Sequence, residues 1–358
     1  MSGRIEPGRP AVDGLEIADL DEAVEHASPA LPALKGASVF VTGGTGFLGR
    51  WLLAVLSRAN ATRGLGSALT VLTRDPDGFR RRWPQLASDP ALQLVEGDVR
   101  DFVFPAGRFT HLIHGAADTS AAADSRPLEL IDSIVGGTRR AFEFASNAGV
   151  GRALLLSSGA IYGAQPADLP LLPEGFTGAC PPTDRRSVYG QAKRMAEQLA
   201  CLYSVEFGLP AVIARGFAFV GSGLPLDGHF AIGNFIGDAL AGREILVKGD
   251  GAPVRSYLYA GDAAAWMLRL LVQGQAGAAY NLGSDRAISI GELAGLVARL
   301  FPPARGLRIE GRSEPGAPRL RYVPSIDRAH KELGLEVWTA LEEAIRRTGR
   351  WAAGRPTH

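Results

Sequence analysis

The sequence predicts an α/β fold: a doubly wound parallel sheet followed by a smaller C-terminal α/β lobe for a substrate. Three observations carry that expectation. Short apolar, β-branched runs alternate with helical stretches through the first part of the chain, as strands covered on both faces do. Glycines cluster where the first run turns into the first helix, in "VTGGTGFLG" (Val41 to Gly49). After Phe217 the alternation loosens into Gly/Pro-rich loops and short helices.

Taken in order, residues 1–36 read as an N-terminal arm with a short helix in "LDEAVEHA" (Leu20 to Ala27). The strand "ASVFVTG" and the helix "FLGRWLLAVLSRA" (Phe47 to Ala59) open the main domain, residues 37–216. Further strands are expected in "ALTVLT" (Ala68 to Thr73), "LQLVEGDV" (Leu92 to Val99), "FTHLIHGAA" (Phe109 to Ala117), "RALLLSS" (Arg152 to Ser158) and "PAVIARGF". Long helices fall at Leu128 to Gly149 and Ser187 to Gly208. Residues 217–358 mainly form the lobe, with pieces near 255–283 returning to the sheet, among them a strand in "GAAYNLGSD". Trp51 and Trp266 lie on apolar helix faces and read as core. The run "FRRRW" (Phe79 to Trp83) reads as a solvated helix start.

Lys plus Arg number 38 and Asp plus Glu 37 among 358 residues, a net charge of +1. That balance gives no reason to expect nucleic acid or an acidic membrane surface as partner. Cys180 and Cys201 are too few for a disulfide framework and read as reduced thiols; no metal site is expected. No basic stretch precedes an apolar run at the N-terminus, and no run approaches the ~18 apolar residues of a membrane span. A cytoplasmic location is the expectation.

The spacing Gly43-x-x-Gly46-x-x-Gly49 at a strand-to-helix junction has a physical meaning. Glycine allows the tight turn, lets phosphates approach the backbone, and lets helix pack on strand. The helix opening at Phe47 and Leu48 offers N–H groups and a positive dipole end to a diphosphate, so a dinucleotide is expected. Beyond the second strand, Arg74 suits the 2′-phosphate of NADP and Asp75 suits the ribose of NAD; both cofactors stay open.

In "VYGQAK", Tyr189 and Lys193 are four apart and share a helix face. A phenol with a pKa of about 10 is a poor base at neutral pH. A nearby ammonium and an oxidised nicotinamide favour its phenolate, which can then take a hydroxyl proton as hydride leaves the carbon. Ser157 and Ser158 end the fifth strand, where such sheets bind ligands.

Together these residues resemble the extended short-chain dehydrogenase/reductase family of nucleotide-sugar epimerases and dehydratases, which has a Rossmann sheet. The matching pieces include "VTGGTGFLG", "EGDVRD", "HLIHGAAD", "LLLSSGAIYG", "YGQAK", "GDGAPVRSYLYAGD" and "AYNLGSD". The resemblance implies Tyr189 as catalytic base, Lys193 as its partner on the nicotinamide ribose, and Ser158 as the catalytic serine. It places Asp98 and Val99 at the adenine and Ala116, Ala117 and Ser157 along the cofactor. Arg255 and one of Arg319 and Arg321 are then expected on a sugar nucleotide's diphosphate, with Asn234 standing in for an asparagine that is Ala218 here. Ile134 likewise replaces an asparagine of the family's cofactor-side helix. A homodimer is expected by the same resemblance.

Members that dehydrate the sugar, and members that decarboxylate a uronic acid, carry acids just after the catalytic serine. Here those positions are Gly159 and Ala160. The expected function is therefore NAD(P)-dependent epimerisation at C4 of a nucleoside-diphosphate sugar. Alternatives are NADPH-dependent reduction of a 4-keto sugar, dehydration, and non-catalytic dinucleotide binding. Asp118, Asp124 and His229 are minor candidates near the substrate.

Overall fold

The structure, a computed structural model, describes residues 10–117, 125–228, 230–302, 306–312 and 320–354. Seven parallel strands form the central sheet. They are β1 (Ser38–Thr42), β2 (Ala68–Thr73), β3 (Leu92–Glu96), β4 (His111–His114), β5 (Arg152–Ser158), β6 (Ala211–Gly216) and, after a short strand β7 (Val254–Arg255) of the second lobe, β8 (Ala279–Leu282). Their spatial order is β3-β2-β1-β4-β5-β6-β8. The order reverses between β1 and β4, and ligands of such sheets bind outside the strand ends at that point.

Alternation along each strand explains the covering of both faces. Val39 and Val41 of β1 join one apolar cluster and Phe40 the other; in β5, Leu154 joins the first while Ala153 and Leu155 join the second. On the first face pack α1 (Ile17–Ala27), α2 (Phe47–Arg63) and α8 (Ala260–Gln273). On the second pack α5 (Gly137–Asn147) and α6 (Val188–Glu206). Trp51 and Trp266 are fully buried in the first cluster, as their helix faces predict. Phe40 sits in an aromatic nest with Phe102, Phe109 and Phe144, with ring centroids 4.4 to 5.6 Å away.

Three expectations are corrected. From Pro10 onward the N-terminal segment is part of the body rather than an arm. Leu20, Ala23, Val24 and Ala27 form one face of α1 and are buried against α2 and α8. Asp19 accepts a hydrogen bond from the Tyr259 hydroxyl at 2.6 Å and pairs at 2.9 Å with Arg347 of α10 (Leu341–Ala353), the last helix. The helix expected from Leu128 is broken: α4 (Pro127–Ile131) runs into a π-turn at Asp132–Gly136 before α5. A Cβ on Gly137 would stand 2.7 Å from Val99, so the loop after β3 presses on that break. The third strand ends at Glu96, since Asp98 starts a turn by accepting from the Arg100 N–H at 3.0 Å.

In the second lobe, α7 (Ala231–Leu240) and α9 (Ile290–Leu300) flank small sheets. Strand β7 pairs in parallel with β9 (Arg321–Tyr322), setting Val254 beside Arg321 and Arg255 beside Tyr322. The basic run in α3 (Pro76–Arg82) is solvated except for Phe79, which is core.

Candidate active site

The loops after β1 and β4 meet at the switch point. Gly43 has φ +75°, and a Cβ there would lie 2.5 Å from the Gly115 carbonyl. A Cβ on Gly49 would fall 2.2 Å from Gly43 O, so this glycine lets α2 close on the turn. Gly46 differs: its Cβ would meet only Gly43 O, at 3.4 Å. It is the exposed N-cap of α2, with no side chain capping the helix and no acid in the first turn. The N–H groups at Phe47, Leu48 and Gly49 therefore lack intrahelical partners, which suits a diphosphate. The residues present fit a dinucleotide.

A directed hydrogen-bond chain lies beside this turn. Ala116 N–H donates to Thr42 Oγ1 (3.3 Å), which lies 2.7 Å from His114 Nδ1. His114 Nε2 lies 3.0 Å from Thr138 Oγ1, which donates to Ile134 O at 2.6 Å. Because Thr138 gives its proton to Ile134, it accepts from Nε2–H, so His114 is the Nε2–H tautomer. Burial, with the Lys193 charge adding to it, lowers the pKa of His114 to about 3. Ile134 thus serves through its carbonyl, while its side chain is core. Ala117 lies half-buried beside Ala116.

Asp98, expected at the adenine, is gripped by Arg100 through two contacts of 2.8 and 3.0 Å. Arg100, and more weakly Arg74, hold its carboxyl below the usual range. Arg74 is exposed, and Asp75 Oδ1 caps α3 by accepting from Gly78 N–H at 2.7 Å. The carboxylate expected at the ribose is thus engaged as a helix cap.

The α6 helix aims Tyr189, Lys193 and Glu197 at the end of β5. Lys193 is buried and donates to Leu156 O at 2.7 Å. Burial brings its pKa down to about 8, against an upward pull from Glu197. Its Nζ lies 5.9 Å from the Tyr189 ring centroid. Burial pushes the Tyr189 phenol up, and the group that draws it back is the Ser158 hydroxyl. Ser158 Oγ also accepts from Ala160 N–H at 3.2 Å, which holds the serine at the cleft. Ser157, expected along the cofactor, donates instead to Glu197 at 2.6 Å.

Glu197 belongs to a network that the sequence does not single out. It pairs with Arg215 at 2.8 Å; Arg215 reaches the Tyr162 hydroxyl at 2.8 Å, and Tyr162 donates to Asn281 at 2.8 Å. Burial raises the Tyr162 phenol to about 12, so it stays a neutral donor. The readable signal was Glu197 itself, one helical turn beyond Lys193 on the same face.

Gly159 is explained by packing. A Cβ there would lie 2.6 Å from the Phe217 ring and 2.7 Å from the Tyr322 hydroxyl, so no acid fits at that corner. The two rings are tilted by 33° with centroids 4.6 Å apart. Arg255 shares the face of Tyr322, its Cζ 6.0 Å from that ring, and donates to Val254 O at 2.9 Å. Arg321 takes the opposite face of β9 and lines a surface opening with Ala167, Asp168 and Pro170. The structure therefore does not bring Arg255 and Arg321 together. Asn234 is half-buried in the first turn of α7. Asp118, Asp124, His229 and Arg319 lie outside the described residues.

The family model of the NAD dependent epimerase/dehydratase family matches residues 39–283. Among curated relatives, UDP-glucuronic acid decarboxylase 6 of Arabidopsis thaliana is 30% identical over 308 residues, covering 86% of this chain and 86% of that protein. Among solved structures, the dTDP-glucose 4,6-dehydratase DesIV of Streptomyces venezuelae, with NAD bound, superposes with a TM-score of 0.75 at 25% identity, over 88% of this chain and 96% of that one. The UDP-glucose 4-epimerase of Thermotoga maritima, with UDP-glucose, shares the fold with a TM-score of 0.75 at 23% identity, over 88% and 98%.

Proposed function

The chain belongs to the NAD dependent epimerase/dehydratase family, and we propose that within it this protein is a C4 epimerase of a nucleoside-diphosphate sugar. The observation that carries the reading is the corner at Gly159, where Phe217 and Tyr322 exclude an acid. Elimination of water across C5–C6 needs titratable groups beside the catalytic serine. Inversion at C4 needs none. Tyr189 takes the proton of the C4 hydroxyl, Ser158 holds that oxygen, and Lys193 supplies positive charge beneath the ring. NAD, when bound, accepts the hydride from C4 and returns it. Arg255 supplies a guanidinium for the diphosphate.

A second reading is loss of CO2 from a uronic acid after the same oxidation. Similarity to the UDP-glucuronic acid decarboxylase favours it. A 4-keto uronic acid is a β-keto acid, which sheds CO2 with little assistance but then needs a proton delivered to C5.

Exposed Leu128 and Ile131 on α4, with Met195, Leu202 and Val205 on α6, support the homodimer reading through this helix pair. These helices contact each other, so their apolar residues can bury against a second copy.

The test is to denature the purified protein, identify the released cofactor, and offer UDP-, dTDP-, GDP- and CDP-sugars. Retained NAD with redox-neutral inversion at C4 is the expected result. Stoichiometric consumption of NADPH would assign a reductase, and CO2 from UDP-glucuronic acid the second reading.

A further inference from the structure

Glu197 sits one helical turn beyond Lys193 on α6. At that spacing a carboxylate and an ammonium on one helix face pair readily. Here they do not. Lys193 Nζ donates to Leu156 O at 2.7 Å, and among the described residues it has no ion-pair partner.

The Glu197 carboxylate is taken from the sheet instead. Arg215 Nε and Nη2 donate to Oε1 and Oε2 at 3.0 and 2.8 Å, and Ser157 Oγ donates to Oε1 at 2.6 Å. Strand register explains the arrangement. Ser157 of β5 lies opposite Arg215 of β6, so both side chains leave the sheet face that α6 covers. Arg215 and Glu197 are only 13% and 11% exposed, so water competes weakly for either charge. A planar guanidinium fork matches both carboxylate oxygens, which an ammonium cannot do. We propose that Arg215 is a positioning residue: it occupies Glu197 and so keeps the Lys193 ammonium out of a pair one turn away, leaving it on Leu156 O and beside Tyr189. The consequence for proton transfer rests on the reading of Tyr189 as base. An ammonium tied to a carboxylate would favour the phenolate less.

The other charges nearby do not replace Arg215. His114 of β4 feels the Lys193 charge and is held neutral by burial. Tyr162, in the turn after β5, is a neutral donor to Asn281 and accepts from Arg215. Glu174 accepts from Asn281 N–H at 2.9 Å and feels Arg328 and Arg215. On the helices packed against α6, Glu129 and Glu143 pair with Arg126 and Arg140 at the surface, and Asp132 and Arg139 are exposed. Glu197 is the charge that acts on Lys193.

The test is an NMR titration of the lysine ε-carbons in the full chain as purified. The lysines are Lys35, Lys193, Lys248 and Lys331, and the Lys193 step is the one lost in Lys193→Met. In the unaltered chain that step lies at about 8. Arg215→Met should raise it by about one pH unit, because the released carboxylate then turns to the ammonium. Combining Arg215→Met with Glu197→Gln removes both charges and should bring the step back close to its original position. Ser157→Ala, which leaves the Arg215 fork in place, should raise the step by a smaller amount. A Lys193 step that stays or falls in Arg215→Met, or that rises as far when Glu197→Gln is also present, would overturn the proposal. If Arg215→Met does not fold, an unmoved step in Ser157→Ala does the same. Turnover that survives Lys193→Met is a different failure, that of the assignment of Lys193 to the chemistry, and leaves the titration standing.

Discussion

At the cofactor end of the cleft, backbone makes the site. Gly43 and Gly49 let two loops and a helix close to within a few ångströms of one another, and the side chains beneath, Thr42, His114 and Thr138, serve to fix that backbone. At the sugar end, side chains make the site. Ser158 ends a strand, Tyr189 and Lys193 come from a helix, and Phe217 and Tyr322 close over a glycine that leaves no room for a further side chain. The contrast separates binding from chemistry. A diphosphate is held by geometry that many reactions share, whereas the reaction depends on which hydroxyls and acids reach one corner.

The largest effect should break one end and spare the other. Tyr189→Phe should lower turnover by about 10³-fold or more, the scale of a lost general base, while bound NAD survives purification. Equal loss of NAD and turnover would show that the two ends are not separable. Gly43→Ala is the converse. Its positive φ and 2.5 Å approach to Gly115 should cost about 2–4 kcal/mol and empty the cofactor groove, read as NAD content and thermal midpoint. Gly46→Ala, with only a 3.4 Å neighbour, should leave the midpoint within a degree or so and weaken NAD binding alone.

Smaller effects concern pH. His114 has its folded pKa lowered to about 3 from 6.5. The unfolded chain therefore binds the proton first, and stability should fall as pH drops from about 6.5 toward 3, by roughly 1 kcal/mol per pH unit. His114→Asn should flatten that slope in urea melts across the window. Lys193, lowered to about 8 from 10.5, acts with the same sign in an alkaline window. Its burial penalty is full below pH 8 and fades as pH rises to 10.5, where the unfolded chain still binds the proton and the folded chain does not. Because Glu197 holds this pKa up, Glu197→Gln should move the alkaline limb of turnover to lower pH, by roughly half a unit. A limb that stays in place would remove Lys193 from the chemistry.

The two ends also differ in how much the sequence reveals. The glycine turn, the strands and the Tyr189–Lys193 pair are local, written within a few residues, and their periodicity survives into the structure. The sugar end is assembled by long-range pairing. Nothing near "PRLRY" says that β9 lies beside β7, so neither Tyr322 at Gly159 nor the turning of Arg321 away from Arg255 can be read there. Ser157 and Ser158 are adjacent in sequence, yet strand alternation sends one to Glu197 and the other to the cleft. The N-terminal segment misled for another reason. Its prolines and acids suggest an appendage, but the spacing of Leu20, Ala23, Val24 and Ala27 was already that of a buried helix face.

The central claim is that chemistry stops at C4 because the corner at Gly159 holds no acid. The direct measurement is product analysis by NMR after reaction in D2O, with UDP-glucose, dTDP-glucose and UDP-glucuronic acid as probes. The account predicts a C4-inverted sugar with no solvent deuterium on its carbons. Deuterium at C5, a 4-keto-6-deoxy product or released CO2 would contradict it.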